Sequence, residues 1–92
     1  MTHTIREKHK LLARVRRIRG QVEALERVLA SEAGCDEVMH QIVGIRGAVT
    51  GLMAEVVEDH VRLHVVGPDV DPTSDQAQAA EQLVDLVRSY LK

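Results

Sequence analysis

Aromatic side chains are nearly missing from this chain: Tyr90 stands alone in 92 residues, with no Phe and no Trp. A single domain of this length, residues 1–92, buries only a modest core. Without rings to fill it, Leu, Val, Ile, Met and Ala must supply the apolar contacts. That composition favours helices that finish burying themselves against partner subunits. Cysteine is scarce too. The single Cys35 excludes an internal disulfide, and a thiol that serves as a ligand needs a reducing compartment. No apolar run reaches the roughly 18 residues of a membrane span, and the first twenty positions are strongly polar, unlike a signal peptide; no membrane association and a cytoplasmic location are expected. There is no HExxH, no glycine-rich phosphate loop, and no Ser or Cys nucleophile with a base on the same face. An enzyme is therefore the least expected class.

Negative charge is nearly missing from the first twenty residues. Arg6, Lys8, Lys10, Arg14, Arg16, Arg17 and Arg19 face a single acid there, Glu7. The remaining residues carry five basic and thirteen acidic groups, so a net charge of −2 hides a strong asymmetry. A polyanion-binding face on an acidic body follows from that split. A plain solvated helix face is the alternative, but with acids nearly absent few of these charges could pair along a helix.

What is present in quantity is helical periodicity, and three helices account for it. Thr4-Ile5-Arg6-Glu7 has the form of a capping box and predicts a first helix from Thr4 to about Ser31. Leu11, Val15, Ile18, Val22, Leu25 and Leu29 form a heptad stripe along it. A second helix opens at Cys35-Asp36-Glu37, whose two acids suit the positive end of the helix dipole. Val38, Ile42, Ile45, Val49, Leu52 and Val56 repeat the stripe, and Gly67-Pro68 stops the helix after about 30 residues, near 45 Å at 1.5 Å per residue. Beside that stripe runs an edge of Met39, Val43, Met53, Val57, His60 and His64. After a linker at 69–75, Thr73 or Ser74 caps a third helix with Ala80, Leu83, Val84, Val87 and Leu91 on its apolar face. The expected class is all-α, a three-helix protomer. Its second helix is too long for its own chain to cover.

His60 and His64, four residues apart, share a helix face and could grip one metal ion. Cys35 lies 25 residues earlier, roughly 37 Å away along a continuous helix. Thiol and imidazoles can meet only if a second copy runs antiparallel, so a metal site here predicts a dimer. Thiolate with imidazole suits zinc, cobalt and nickel. The helix N-terminus favours the thiolate at Cys35; Asp36 and Glu37 oppose it while attracting a cation. His3 lies just outside the capping box on an end able to fold over the site, and loss of Met1 would free the amine of Thr2 as a further donor. Taken singly these signals are weak: histidine pairs often merely pack, and a lone cysteine is usually a small hydrophobe. His9 and His40 have no companions at helical spacing and are read as surface residues.

The stretch Lys10-Leu11-Leu12-Ala13-Arg14-Val15-Arg16-Arg17-Ile18-Arg19-Gly20-Gln21, then Cys35, then Gln41-Ile42-Val43-Gly44-Ile45-Arg46-Gly47-Ala48-Val49-Thr50-Gly51-Leu52-Met53, then His60 and His64, closely resembles the CsoR/RcnR/FrmR family of all-helical bacterial repressors. The resemblance spans residues 3–64, about two-thirds of the chain, and the ending Val87-Arg88-Ser89-Tyr90-Leu91-Lys92 fits as well. It implies an antiparallel helix-bundle dimer, paired into a dimer-of-dimers tetramer, with the cysteine reaching across the dimer interface. It also implies a repressor of double-stranded operator DNA, with Arg14 and Arg17 as DNA contacts, Lys10 on the same basic helix, and Arg46 as a weaker one. Arg46 serves equally well as a structural arginine in a polar seam.

The ligand positions separate the branches of that family. The copper branch has Cys-His-Cys, and His64 departs from it. The persulfide branch needs a second cysteine. The formaldehyde branch pairs an N-terminal proline amine with the cysteine, and Thr2 stands here instead, although Arg14 to Gln21 looks very like that branch. The nickel/cobalt branch has His, Cys, His, His, matched by His3, Cys35, His60 and His64. The resemblance thus implies a repressor that leaves DNA on binding Ni(II) or Co(II), with Zn(II) possible by ligand type. Two alternatives stay open: a formaldehyde sensor using Cys35 and the N-terminal amine, and a helical interaction module whose histidines only pack.

Overall fold

A computed structural model describes residues 5–67 and 69–91, the side chains of residues 5, 6 and 64–66 excepted. The protomer is built from α1 (Ile5–Ala30), α2 (Cys35–His60), a π-helical segment (Val61–Val66) and α3 (Asp75–Tyr90). No strand occurs among the described residues, as expected of an all-α chain. The capping residue Thr4 lies outside them. The chain divides into two compact units, residues 3–52 and 53–92 apart from the first two positions.

In the first unit α1 and the N-terminal two-thirds of α2 are joined by a tight turn. Glu32 takes the left-handed conformation there, with φ 59°, and the Ala33 amide donates to the Val28 carbonyl at 3.3 Å. This closes α1 as a glycine usually would. Gly34 then starts α2, its carbonyl accepting from the amides of Glu37 (3.1 Å) and Val38 (3.3 Å). A Cβ on Gly34 would lie 2.7 Å from Asp36 Oδ1, so a larger residue there would turn that exposed carboxylate aside. At the far end of the unit a Cβ on Gly51 would sit 3.2 Å from Nη1 of Arg14, which brings that guanidinium against the backbone of α2.

The heptad stripes split into two sets. Leu11, Ile18 and Leu25 of α1, with Val38, Ile45 and Leu52 of α2, are half-buried. The alternate positions Val15, Val22, Leu29, Ile42 and Val49 stay 46–58% exposed. Every second apolar member of the α1 stripe faces water, as do Ile42 and Val49 of α2, while Val56 is half-buried; both stripes are unfinished. Burying the exposed half of each such side chain would contribute about 1 kcal/mol apiece.

The second unit holds the small core. Val61, Ala80 and Val84 are buried together with Val57 packed on them, which seats the π segment on α3. The expected α-helix to Gly67 therefore changes register six residues early: from Val61 the backbone bonds run i to i+5, ending with the Gly67 amide on the Arg62 carbonyl at 3.2 Å. Gly67 follows at φ 92°, a conformation natural only to glycine. Pro68, the second half of the expected stop, lies outside the described residues. In the linker, Asp71 Oδ1 accepts from both the amide and the hydroxyl of Thr73, at 2.9 and 2.8 Å. Those bonds hold its carboxyl below the usual range. Of the two expected caps it is Ser74 that serves, its hydroxyl accepting from the Ala77 amide at 3.1 Å. Ser74→Ala is expected to cost about 1 kcal/mol, readable as a lowered thermal midpoint with α3 amides exchanging first.

Candidate metal centre and DNA-facing helix

Cys35 is the first residue of α2 and carries an exposed free thiol. Its place at the helix N-terminus puts backbone amide dipoles beside the sulfur, and Asp36 and Glu37 share that first turn. His60 is the last α-helical residue and is exposed. An unbroken helix therefore carries the sulfur at its start and the first imidazole at its end. Within one chain it holds them apart, as the spacing predicts. His64 falls in the π segment and its side chain is outside the described set, as are Thr2 and His3. Among the described residues no three His, Cys, Asp or Glu side chains gather into a metal-sized group. The donors fit a borderline divalent ion in kind: one thiolate and imidazoles, both described members accessible from outside the chain. His9 and His40 are exposed, matching their reading as surface residues.

On α1 the basic residues recur along the helix. Lys10, Arg16, Arg17 and Arg19 are exposed and Arg14 is half-buried. Arg19 lies 3.8 Å from Glu23, a loose exposed pair of small worth. Arg46 of α2 is exposed, and its carbonyl accepts from the Thr50 hydroxyl at 2.9 Å.

Sequence reasoning missed an ion-pair network beside the histidines. Arg62, between His60 and His64, sends a two-pronged contact to Glu81 of α3, Nε to Oε1 at 2.9 Å and Nη2 to Oε2 at 2.8 Å. Its third nitrogen bonds Glu58, whose other oxygen takes Arg88 of α3. The Glu81 bond holds Arg62 above its ordinary value, and Arg62 in turn holds the Glu81 carboxyl below its own. Burial works to raise Glu58, but Arg88 and Arg62 outweigh it and keep the carboxyl low. The Glu58/Arg62 pair was legible as an i,i+4 spacing. The links to Glu81 and Arg88, 19 and 30 residues away, had no local signature.

The profile of the metal-sensitive transcriptional repressors matches residues 7–89. This chain belongs to that family. It is one of transcriptional repressors, not enzymes. A relative from Serratia marcescens, known only as an uncharacterized protein in the bioA 5′ region, is 54% identical over the full length of both chains. The transcriptional repressor RcnR of Salmonella paratyphi B is 44% identical, again over the whole of both. Among solved structures, a glutamate-to-histidine variant of the formaldehyde-responsive regulator FrmR from Salmonella enterica serovar Typhimurium is 44% identical. It superposes with a TM-score of 0.70, covering 97% of this chain and 99% of that one. Membership makes this chain a repressor of the metal-sensitive class with the all-helical fold. RcnR and FrmR stand at equal identity, so overall likeness does not choose between a metal and formaldehyde as the signal. No helix among the described residues is long and apolar enough to cross a membrane.

Proposed function

We propose that this repressor binds operator DNA in its metal-free form and releases it on taking up Ni(II) or Co(II), with Zn(II) as a further ion of suitable ligand type. Cys35 of one subunit, with His60 and His64 of an antiparallel partner, would hold the ion; His3 and the Thr2 amine would close over it. The observation that carries this reading is the placement of Cys35 and His60 at opposite ends of one unbroken helix, both exposed. Only a second copy can complete such a donor set. The half-exposed heptad residues supply the surface for that copy, and a dimer-of-dimers tetramer is the proposed assembly.

The basic face of α1, with Lys10, Arg14 and Arg17, would meet DNA phosphates, and Arg46 is a secondary contact. Charge alone fails as the switch. A divalent ion adds positive charge even after the Cys35 thiol gives up its proton, and so would strengthen attraction to phosphate. Release therefore has to be geometric: drawing two subunits and the N-terminal arm together changes the spacing of the basic helices. A coupling of about 1–3 kcal/mol is typical of such switches.

The test is a cobalt titration followed in the near ultraviolet, where a thiolate-to-metal band is expected and should be absent from Cys35→Ala. Competition among nickel, cobalt and zinc, with DNA release as readout, would rank the ions. A silent titration would favour an interaction module whose histidines pack.

A second reading draws on the likeness to the formaldehyde-responsive FrmR structure and on Arg14 to Gln21. There the Thr2 amine and the Cys35 thiol would be bridged by one carbon, with loss of water. Mass spectrometry after formaldehyde exposure separates the two readings, since only this one yields a cross-link joining those residues.

A further inference from the structure

We infer that Arg62 is a positioning residue, which fixes the π segment onto α3 and so sets the direction of the His60 imidazole at the end of α2 that runs into it. The inference rests on the metal reading of that histidine pair. Three observations converge on Arg62. It lies between the two histidines in sequence, at the second position of the π segment. Its carbonyl accepts the Gly67 amide and so closes that segment at 3.2 Å. Its guanidinium makes the two-pronged contact with Glu81, while Glu58, bonded to Arg62, is also bonded to Arg88.

A π register is the least common of the helical forms and often marks functional sites. Here its apolar support is thin: Val61 is buried with Ala80 and Val84, and Val57 packs beside them. Two arginines and two carboxylates complete the attachment, spanning α2, the π segment and α3. Arginine suits the role through its planar fork, which meets a carboxylate at two points and restricts rotation as well as distance. Lysine would keep the charge and lose that restriction. A segment free to swing on its backbone would let the end of α2 present His60 over a range of directions, and a metal site tolerates little of that.

The contact is about half exposed, with 47% of the Arg62 side chain and 53% of the Glu81 side chain open to solvent. The effect should therefore lie at the low end for ligand-orienting partners, about tenfold in affinity. The experiment uses the full-length protein with Co(II) alone as probe, and compares wild type with Arg62→Gln, Arg62→Lys and the milder Glu81→Gln. Two quantities are read: cobalt affinity from the thiolate band, and hydrogen exchange of the 61–66 amides without metal. Arg62→Gln and Glu81→Gln are expected to bind cobalt about tenfold more weakly and to exchange these amides faster, with Arg62→Lys recovering part of both.

Unchanged exchange in both Gln variants would overturn the inference. Faster exchange with unaltered cobalt affinity would overturn it as well, because Arg62 would then steady the segment without orienting His60. A wild-type protein that takes up no cobalt would overturn the nickel/cobalt reading instead. Equal exchange would then refute the attachment of residues 61–66 to α3 as well, and faster exchange would support that attachment while the orienting of a metal ligand falls with the reading it rests on.

Discussion

Cys35→Ala is expected to keep its grip on operator DNA and to lose its response to nickel or cobalt. Cys35 sits at the start of α2, far along the sequence from the basic residues of α1 that would meet phosphate, and its thiol is exposed with no disulfide to lose. Removing an exposed side chain at a helix N-terminus should disturb folding by only a few tenths of a kcal/mol. The same change removes the sole sulfur donor, and the remaining imidazoles would hold an ion without tying one subunit to the other. If coupling is worth about 1–3 kcal/mol, wild type should weaken on DNA by roughly 5- to 150-fold with saturating metal, and the variant by almost nothing. Fluorescence anisotropy of a labelled operator duplex, with and without Ni(II) or Co(II), reads both numbers. Normal metal-driven release from Cys35→Ala would sink the assignment of the sulfur. Loss of DNA binding without metal would mean that the start of α2 shapes the DNA-binding form itself.

The elements most fully written in the chain are those whose signals are local. Ser74 before Asp75 and the apolar run from Ala80 to Leu91 specify α3 and its cap. The stripes of α1 and α2 go further, because they reveal an unfinished surface: Val15, Val22 and Leu29 repeat every seven residues and remain exposed beside their half-buried neighbours. Where longer-range packing decides, the sequence is silent. The expected α-helix through to Gly67 gives way to a π register at Val61, and the four-residue spacing of His60 and His64 does not reveal that change. At the turn before α2, Gly34 is the obvious breaker, yet Glu32 takes the left-handed conformation and Gly34 serves as the helix start.

The site divides along the same line. Cys35 and His60 were placed correctly on their helix by counting residues, because helical rise is a property of the backbone. The Arg62–Glu81 contact was invisible, because nothing local to residue 62 announces a partner 19 positions later. The arrangement of a shared donor set is legible only as a requirement. It involves a second polypeptide, and one sequence can state that its own donors fail to meet without stating how two copies do.

Arg17→Ala should weaken operator binding at least about tenfold near 0.15 M salt, about 1.4 kcal/mol, and do so on any duplex sequence. It is the cleaner of the two main candidates. Arg17 is exposed on α1, whereas Arg14 is half-buried against Gly51, so Arg14→Ala mixes weakened packing with weakened phosphate binding. The decisive readout is the salt dependence. Each phosphate neutralised contributes about 0.9 to the slope of log affinity against log salt, so leaving one phosphate without its arginine should flatten the slope by that amount. In an assembly of identical subunits the effect repeats once per subunit touching DNA, which makes the flattening larger than one phosphate's share and countable. Arg46→Ala separates the two readings of that exposed residue: as a secondary phosphate contact it should flatten the slope less than Arg17→Ala, and as a structural arginine it should lower stability and leave the slope alone. A larger drop from Arg46→Ala than from Arg17→Ala would move the DNA-facing surface from α1 to α2. Metal-driven release would then have to act through the helix that itself carries Cys35 and His60, with no change in spacing between α1 helices required.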